Sequence, residues 1–371
     1  MRCPVFKECG GCLYKHEHPD FQHAEKQNQL LKEFSRLDDF LVMEDPFFYR
    51  HKVIATFQSV KNKVISGLYK QNTHKVVSTK ECLIENRVAR KIINSATKLI
   101  ESFRYPIYDQ NKHTGIFRHM MVRVGYQSNE VMVVFVVTET RFKGKRQYIN
   151  ALLKKHPEIT TIVFNINKRI TSVVLSDTNE TAYGPGFIYD SIGDKRFKLS
   201  PNSFYQVNPE MTKRLYEKAI ELAAISKKDT VLDTYCGIGT ITIMLSDYAN
   251  KVVGVELNKQ AIRDARSNLR INKTNNVEFV QADSTEFMLN LTQNPFNVLF
   301  MDPPRDGSTP EFLDRAMNLN FDKIVYISCN PKTLKRDLER LKPKYELQHF
   351  VGVDQFPFTD HIECIAVLNR V

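Results

Sequence analysis

The chain has 371 residues, 42% of them apolar and 26% charged, enough for two or three domains with a sizeable core. No apolar run approaches the ~20 residues that span a bilayer, and no apolar stretch of signal-peptide length opens the chain, so a soluble cytoplasmic protein without membrane contact is expected. The formal net charge of +11 sits in the front half: residues 1–200 carry 32 Lys and Arg against 20 Asp and Glu, and residues 201–371 carry 21 against 22. A phosphate polymer suits such a surface, with affinity that falls as salt rises; an ordinary solvated basic face is the plainer alternative.

Cysteines stand at positions 3, 9, 12, 82, 236, 329 and 364. An odd number in a chain of this kind argues for metal binding or catalysis rather than a disulfide framework. Cys3, Cys9 and Cys12, with Cys82 further on, have metal-ligand spacing, which permits a zinc site made of four thiolates. A polar helix is predicted over residues 21–37. Alternation of Val53, Ala55 and Phe57, then Val64, Leu68 and Val76, predicts short strands between 50 and 79. Val88, Ile92, Ala96, Leu99 and Phe103 predict a helix over 85–103. Two hairpins are predicted next, 120–126 with 131–138 and 162–167 with 172–175. Between them Arg141-Phe142-Lys143-Gly144-Lys145-Arg146 opens a helix. Basic residues interleaved with Tyr and Phe suit RNA, where bases stack and phosphates need cations.

Beyond residue 195 strands and helices alternate. Asn208-Pro209 starts a helix, since Asn is a good N-cap and Pro fits the first helical position; Met211, Leu215, Ala219 and Leu222 form its apolar stripe. Strands at 230–233, 252–256, 277–280, 298–302, 324–328 and 365–368 predict an α/β fold, a parallel sheet covered by helices on both faces. No internal repeat or low-complexity segment interrupts it.

Asp233-Thr234-Tyr235-Cys236-Gly237-Ile238-Gly239 follows a strand and opens a helix, and Glu256 ends the next strand. Glycines allow a tight turn and close ligand approach, and a carboxylate there accepts both ribose hydroxyls, so an adenosine cofactor is expected. NAD is disfavoured, because the third glycine of its fingerprint would fall on Thr242. S-adenosylmethionine needs no pyrophosphate seat and suits the looser loop. Asp302-Pro303-Pro304-Arg305 at the end of a later strand belongs to the same crevice by the switch-point rule. Cys329 directly follows a strand and precedes a helix from about Lys332, a position that exposes a thiol and favours its thiolate. Cys236 and Cys364 fit buried structural roles. Glu363 precedes the final strand, where an acid can serve as general base.

Phe204-Tyr205-Gln206-Val207-Asn208, the Asp233 to Gly239 loop, Asp302-Pro303-Pro304-Arg305, Ser328-Cys329-Asn330-Pro331 and the run from Asp354 to Glu363 occur in one order. In them the chain resembles the bacterial RNA uracil-C5 methyltransferases, densely over residues 195–371. Cys3-x5-Cys9-Gly10-Gly11-Cys12 with Cys82 looks like the iron–sulfur motif of the family's ribosomal-RNA members. The resemblance implies a class I, Rossmann-like S-adenosylmethionine-dependent methyltransferase domain over 196–371. It implies a β-rich RNA-binding central domain over 46–195 and a Cys-rich iron–sulfur segment over 1–45, completed by Cys82. By motif position Cys329 would add to uracil C6 and Glu363 would take the C5 proton. Gln206, Tyr235, Gly237, Glu256 and Asp302 would bind the cofactor. Cys3, Cys9, Cys12 and Cys82 would hold [4Fe–4S] in a structural or RNA-docking role. The target base would flip from its stack. Many members begin with a small β-barrel TRAM domain; with the Cys motif at residue 3 none is expected here, and RNA contact would rest on the basic residues 1–195. The iron–sulfur motif implies 23S ribosomal RNA as substrate. A transfer-RNA enzyme and a non-catalytic iron–sulfur assembly factor are the alternatives, and no obligate protein partner is expected.

Overall fold

The structure is a computed structural model that describes residues 2–16 and 18–371. They divide into two compact units: residues up to 19, 45–191 and 198–202 form the first, and residues 20–44, 192–197 and 203–371 the second. Residues 20–44, expected with the Cys-rich segment, therefore cluster with the second unit. They supply helix α1 (Pro19–Phe34) and strand β1 (Asp39–Leu41).

The first unit is built on a seven-stranded sheet. Its strands are β2 (Lys52–Val60), β3 (Lys63–Tyr69), β4 (Val76–Ser78), β5 (Phe117–Val124), β6 (Val131–Val137), β7 (Ile159–Ile166) and β8 (Asn179–Tyr183), in the order β4-β3-β2-β5-β6-β7-β8. Period-two alternation puts Val53, Ala55, Phe57, Met120, Val122, Val133 and Phe135 on one face. Helices α2 (Arg87–Ser102) and α3 (Lys145–Lys155) contribute Ile92, Ala96, Ile100, Tyr148 and Leu152 to the same core. Asn86 caps α2 by accepting from Val88 N and Ala89 N.

The 120–138 hairpin forms, but the one predicted over 162–175 does not. β7 pairs with β8 instead. The reason lies in two buried amides: Asn165 Nδ2 donates to Ser176 O while its Oδ1 accepts from Ser176 N, and Asn167 Nδ2 donates to Val173 O and Val174 O. These side chains take the backbone groups that a ladder would have used. Strands β9 (Ile188–Ile192) and β10 (Lys195–Leu199) form a two-stranded sheet.

The second unit continues with α4 (Pro209–Ala223), β11 (Thr230–Thr234), α5 (Thr240–Leu245), β12 (Lys251–Glu256), α6 (Lys259–Ile271), β13 (Val277–Gln281), α7 (Ser284–Asn290), β14 (Val298–Met301), α8 (Pro310–Leu319), β15 (Lys323–Ser328), α9 (Pro331–Leu341), β16 (Tyr345–Val353) and β17 (Glu363–Arg370). Its eight strands lie in the order β1-β16-β17-β15-β14-β11-β12-β13. The sheet is mixed: β17 runs antiparallel to both β15 and β16, and the other neighbours pair parallel. The chain leaves β11 toward β12 on one side and later places β14 on the other, which makes the carboxyl end of β11 a switch point. At the far edge α1 buries Leu30. A Cβ on Gly352 of β16 would come within 2.5 Å of Leu30 Cδ1, so glycine is required for that helix to lie down. Among the described residues no helix is long and apolar enough to cross a membrane.

Candidate active site

The loop at the switch point is held in an unusual backbone. Tyr235, Gly237 and Gly239 have φ of 64°, 56° and 80°. A Cβ on Gly239 would stand 2.4 Å from Phe279 Cζ, so only glycine fits there. Tyr235 takes the left-handed conformation with a full side chain, at a cost of about 1–2 kcal/mol. Its hydroxyl lies 3.2 Å from Ser308 Oγ and its ring 5.9 Å from that of Phe312. Gly237 N donates to Glu256 Oε2 at 3.1 Å and Asn258 N to Oε1 at 2.7 Å. The carboxylate at the end of β12 is thus aimed by two backbone donors, and each oxygen keeps a lone pair for a diol. Asp233 is buried and accepts from Thr242 Oγ1 at 2.5 Å. Burial raises its carboxyl to about 8, against that hydrogen bond, and the charges of Asp302 and Glu256 add to the rise.

A second group gathers beside this loop. In the β15–β17 ladder Ser328 lies opposite Cys364, the last pair, so Cys329 and Glu363 follow at the same end of the ladder, where the charge of Glu363 acts on the Cys329 thiol. On its other edge Glu363 pairs with Val353 of β16. Glu363 is only 4% exposed. Burial pushes its carboxyl up to about 8, with Asp302 adding to it, and burial pushes Asp302 to about 7. Near neutral pH Glu363 therefore mostly holds its proton and Asp302 is divided between its two forms. The expectation that the helix end favours the Cys329 thiolate needs correction. Asn330 does cap α9, accepting from Lys332 N, with Pro331 at the first helical position. Yet burial first, and then the charges of Glu363 and Asp302, raise the thiol to about 11; Arg305 pulls it the other way.

Two side chains here had no role from the sequence, Arg305 being read only as part of its motif. Arg305 stands with Nη2 3.4 Å from His361 Nδ1, while its backbone carbonyl accepts from Asn330 Nδ2 and Thr333 Oγ1. Tyr216 of α4 is buried, its hydroxyl bonded to Thr240, among the charges of Asp302, Asp233 and Glu363. It lies beside the apolar stripe of α4, where a tyrosine reads as core. Gln206 is half-buried and lies two residues before Asn208, the α4 N-cap. Asp337 of α9 holds the loop after Asp302, accepting from Ser308 N at 2.9 Å and from the Tyr326 hydroxyl at 2.7 Å.

In the first unit Cys3, Cys9, Cys12 and Cys82 are unbridged and half-buried. Burial, and then the neighbouring thiols of Cys82, Cys9 and Cys3, raise Cys12; burial and Glu85 raise Cys82 to about 12. The four sulfurs thus crowd one region. Gly11 N–H bonds Cys9, Ile84 and Glu85 N–H groups bond Cys82, and Arg50 and Arg90 supply positive charge nearby. A Cβ on Gly11 would come within 3.1 Å of Leu68 Cδ1 and 3.4 Å of Cys9 Sγ, so the Cys-Gly-Gly-Cys turn is close-packed. Thiols with amide donors and cations around them suit a group that needs several thiolates at once. Among the described residues no three His, Cys, Asp or Glu side chains form a ready site for a metal ion.

Comparison with known proteins covers nearly the whole chain. Residues 24–371 match the tRNA (uracil-5-)-methyltransferase family. An uncharacterised RNA methyltransferase of Oceanobacillus iheyensis is 38% identical over 97% of this chain and 81% of its own length. One from Staphylococcus aureus is 36% identical over 99% of this chain and 83% of its own. Among solved structures, the Pyrococcus abyssi tRNA (uracil-54, C5)-methyltransferase in complex with S-adenosyl-L-homocysteine is 27% identical. It superposes with a TM-score of 0.80 over 94% of this chain and 83% of that one.

Proposed function

We propose, for a chain that belongs to the tRNA (uracil-5-)-methyltransferase family, methylation of uracil C5 in 23S ribosomal RNA through a covalent Cys329 adduct. That the chain is an S-adenosylmethionine-dependent RNA uracil-5 methyltransferase is the premise. The observation that carries the mechanism is the pairing of Ser328 with Cys364, which brings Cys329 and Glu363 to one end of the ladder, with the charges of Glu363 and Asp302 both acting on Cys329.

Uracil C5 is a poor nucleophile, so the flipped base must first be activated. Cys329 loses its proton to solvent, and the thiolate adds to C6, which pushes the C5=C6 electron pair onto C5 and O4. C5 then attacks the methyl of S-adenosylmethionine and releases S-adenosylhomocysteine. Glu363 takes the C5 proton; the C–H pair forms the C5=C6 bond while the C6–Sγ bond breaks and the thiolate leaves. Gln206, Tyr235, Gly237, Glu256 and Asp302 bind the methyl donor, with Glu256 on the ribose diol, and Asp302 also meets the uracil edge. Arg305, whose charge favours the thiolate, offsets the two acids at Cys329. Cys3, Cys9, Cys12 and Cys82 would hold [4Fe–4S], which would supply structure or RNA docking and no step of methyl transfer.

A second reading, methylation of transfer RNA, is favoured by the Pyrococcus abyssi likeness, since that enzyme acts on transfer RNA by its name. The test offers labelled S-adenosylmethionine and unmodified 23S and transfer-RNA transcripts to oxygen-free protein, and identifies the modified base by mass spectrometry. Expected is 5-methyluridine in 23S RNA alone, and none with Cys329→Ala, which still binds RNA. Label only in transfer RNA moves the substrate to the second reading, and label with Cys329→Ala removes the covalent mechanism.

A further inference from the structure

Helix α1 buries Gln22, Lys26 and Leu30, four residues apart, in one stripe. Two of these three are polar, at positions where a packing helix uses apolar side chains. Both reach the loop of residues 354–362, which leads directly into Glu363. Lys26 Nζ donates to Asp354 Oδ1 at 2.7 Å and to Phe356 O at 3.3 Å. The two side chains are fully buried, and His23 Nε2 lies 3.3 Å from Asp354 Oδ2. Gln22 accepts from Phe358 N. Phe358 is fully buried and has φ of 67°, a left-handed backbone that a non-glycine residue keeps only when its surroundings enforce it.

The same loop is pinned from the opposite side. Gln355 Nε2 donates to Thr212 Oγ1 at 2.8 Å and Asn208 O at 3.3 Å, and Asn208 Nδ2 donates to Gln355 O at 2.9 Å. Stability alone does not explain a buried Lys–Asp pair, because well-packed apolar residues of similar volume often serve as well or better. What apolar residues lack is direction. The Lys26 and Gln22 bonds fix individual backbone positions within nine residues of Glu363.

We propose that α1 is a positioning element of the active site: Lys26 and Gln22, through Asp354, Phe356 and Phe358, hold Glu363 where it meets the C5 proton of the uracil adduct. This rests on the reading of Glu363 as the base. These residues touch neither substrate nor cofactor. Their loss leaves thiol addition and methyl transfer possible and slows the step that needs Glu363. Methylated RNA then stays joined to Cys329.

The test compares full-length wild type, Lys26→Met/Asp354→Leu, Gln22→Met and Glu363→Gln. Each is given labelled S-adenosylmethionine and a mixture of unmodified 23S and transfer-RNA transcripts. Turnover, denaturant-stable protein–RNA adduct and thermal melting are measured together. The double swap removes both charges, so it should melt at or above wild type. Its turnover should fall about 10- to 100-fold, the scale of a small misplacement of a reacting group, with adduct accumulating as in Glu363→Gln. Gln22→Met should show a smaller change of the same kind. Unchanged turnover, or turnover lost without adduct, overturns the proposal while Glu363→Gln still traps RNA. Should Glu363→Gln release its RNA like wild type, the reading of Glu363 falls and the inference falls with it.

Discussion

The carboxyl of Glu363 is buried beside Asp302. Its value is raised from 4.5 to about 8 by burial and by Asp302. Below pH 4.5 folded and unfolded chains both hold the proton and nothing is lost. Between 4.5 and 8 the unfolded chain releases it while the folded chain keeps it, so stability falls as pH rises through that window. Glu363→Gln should match wild type near pH 4 and be more stable, by up to a few kcal/mol, near pH 9. A pH-independent difference in melting would remove the buried acid from its assigned surroundings. In wild type the proton-accepting form fills as pH passes about 8, so turnover should climb there. Cys329 and Glu363 stand out in the sequence because each sits in a short run with few alternatives. Lys26 does not: a lysine in a polar helix reads as solvated, and its partner Asp354 lies 328 positions away.

Elements that follow a simple period were also legible. The strands of the second unit with buried runs, such as Val252-Val253-Gly254-Val255 and Ile324-Val325-Tyr326-Ile327, came out of apolarity alone. β16 did not, because its first half, Tyr345-Glu346-Leu347-Gln348-His349, is mostly partly exposed and carries polar residues. The basic run before α3 shows the same limit for charge. Lys145 pairs with Glu180 and stands 4.7 Å over the Phe164 ring, whereas Lys143 and Arg146 are exposed. Charge reversal at Lys143 and Arg146 should weaken binding and reduce the slope of log affinity against log salt by about one per lost phosphate contact. Lys145→Glu should unsettle α3 through Glu180 as well as weaken binding. A salt slope unmoved by Lys143→Glu/Arg146→Glu would put the RNA on another face.

Across the whole chain, the two units divide the charge. The basic excess belongs to residues 1–200, most of which lie in the first unit, together with the four crowded cysteines. Cys82→Ser should lower the iron and sulfide bound per chain under oxygen-free purification and leave S-adenosylmethionine binding to the second unit in place. Iron content equal to wild type would return these cysteines to the zinc or thiol alternatives. Composition showed the charge division, but not that the chain enters the second unit at residue 20, leaves at 45 and returns, because no local pattern marks a long-range pairing.

The parallel pairing of β1 with β16 joins Asp39 to Val351. Synthesis therefore delivers the first strand of the catalytic sheet some three hundred residues before its neighbour, and the loop closed between them is among the longest this chain permits. Pairings so distant in sequence slow folding. The seven-stranded sheet of the first unit has all its strands once residue 183 is made. The second waits for β16 and β17 at the end of the chain, with α1 and β1 unpaired until then. A nascent chain on the ribosome thus completes the sheet that carries its basic, four-cysteine unit early and the second sheet last, and loss of even the final strand leaves that sheet without Glu363.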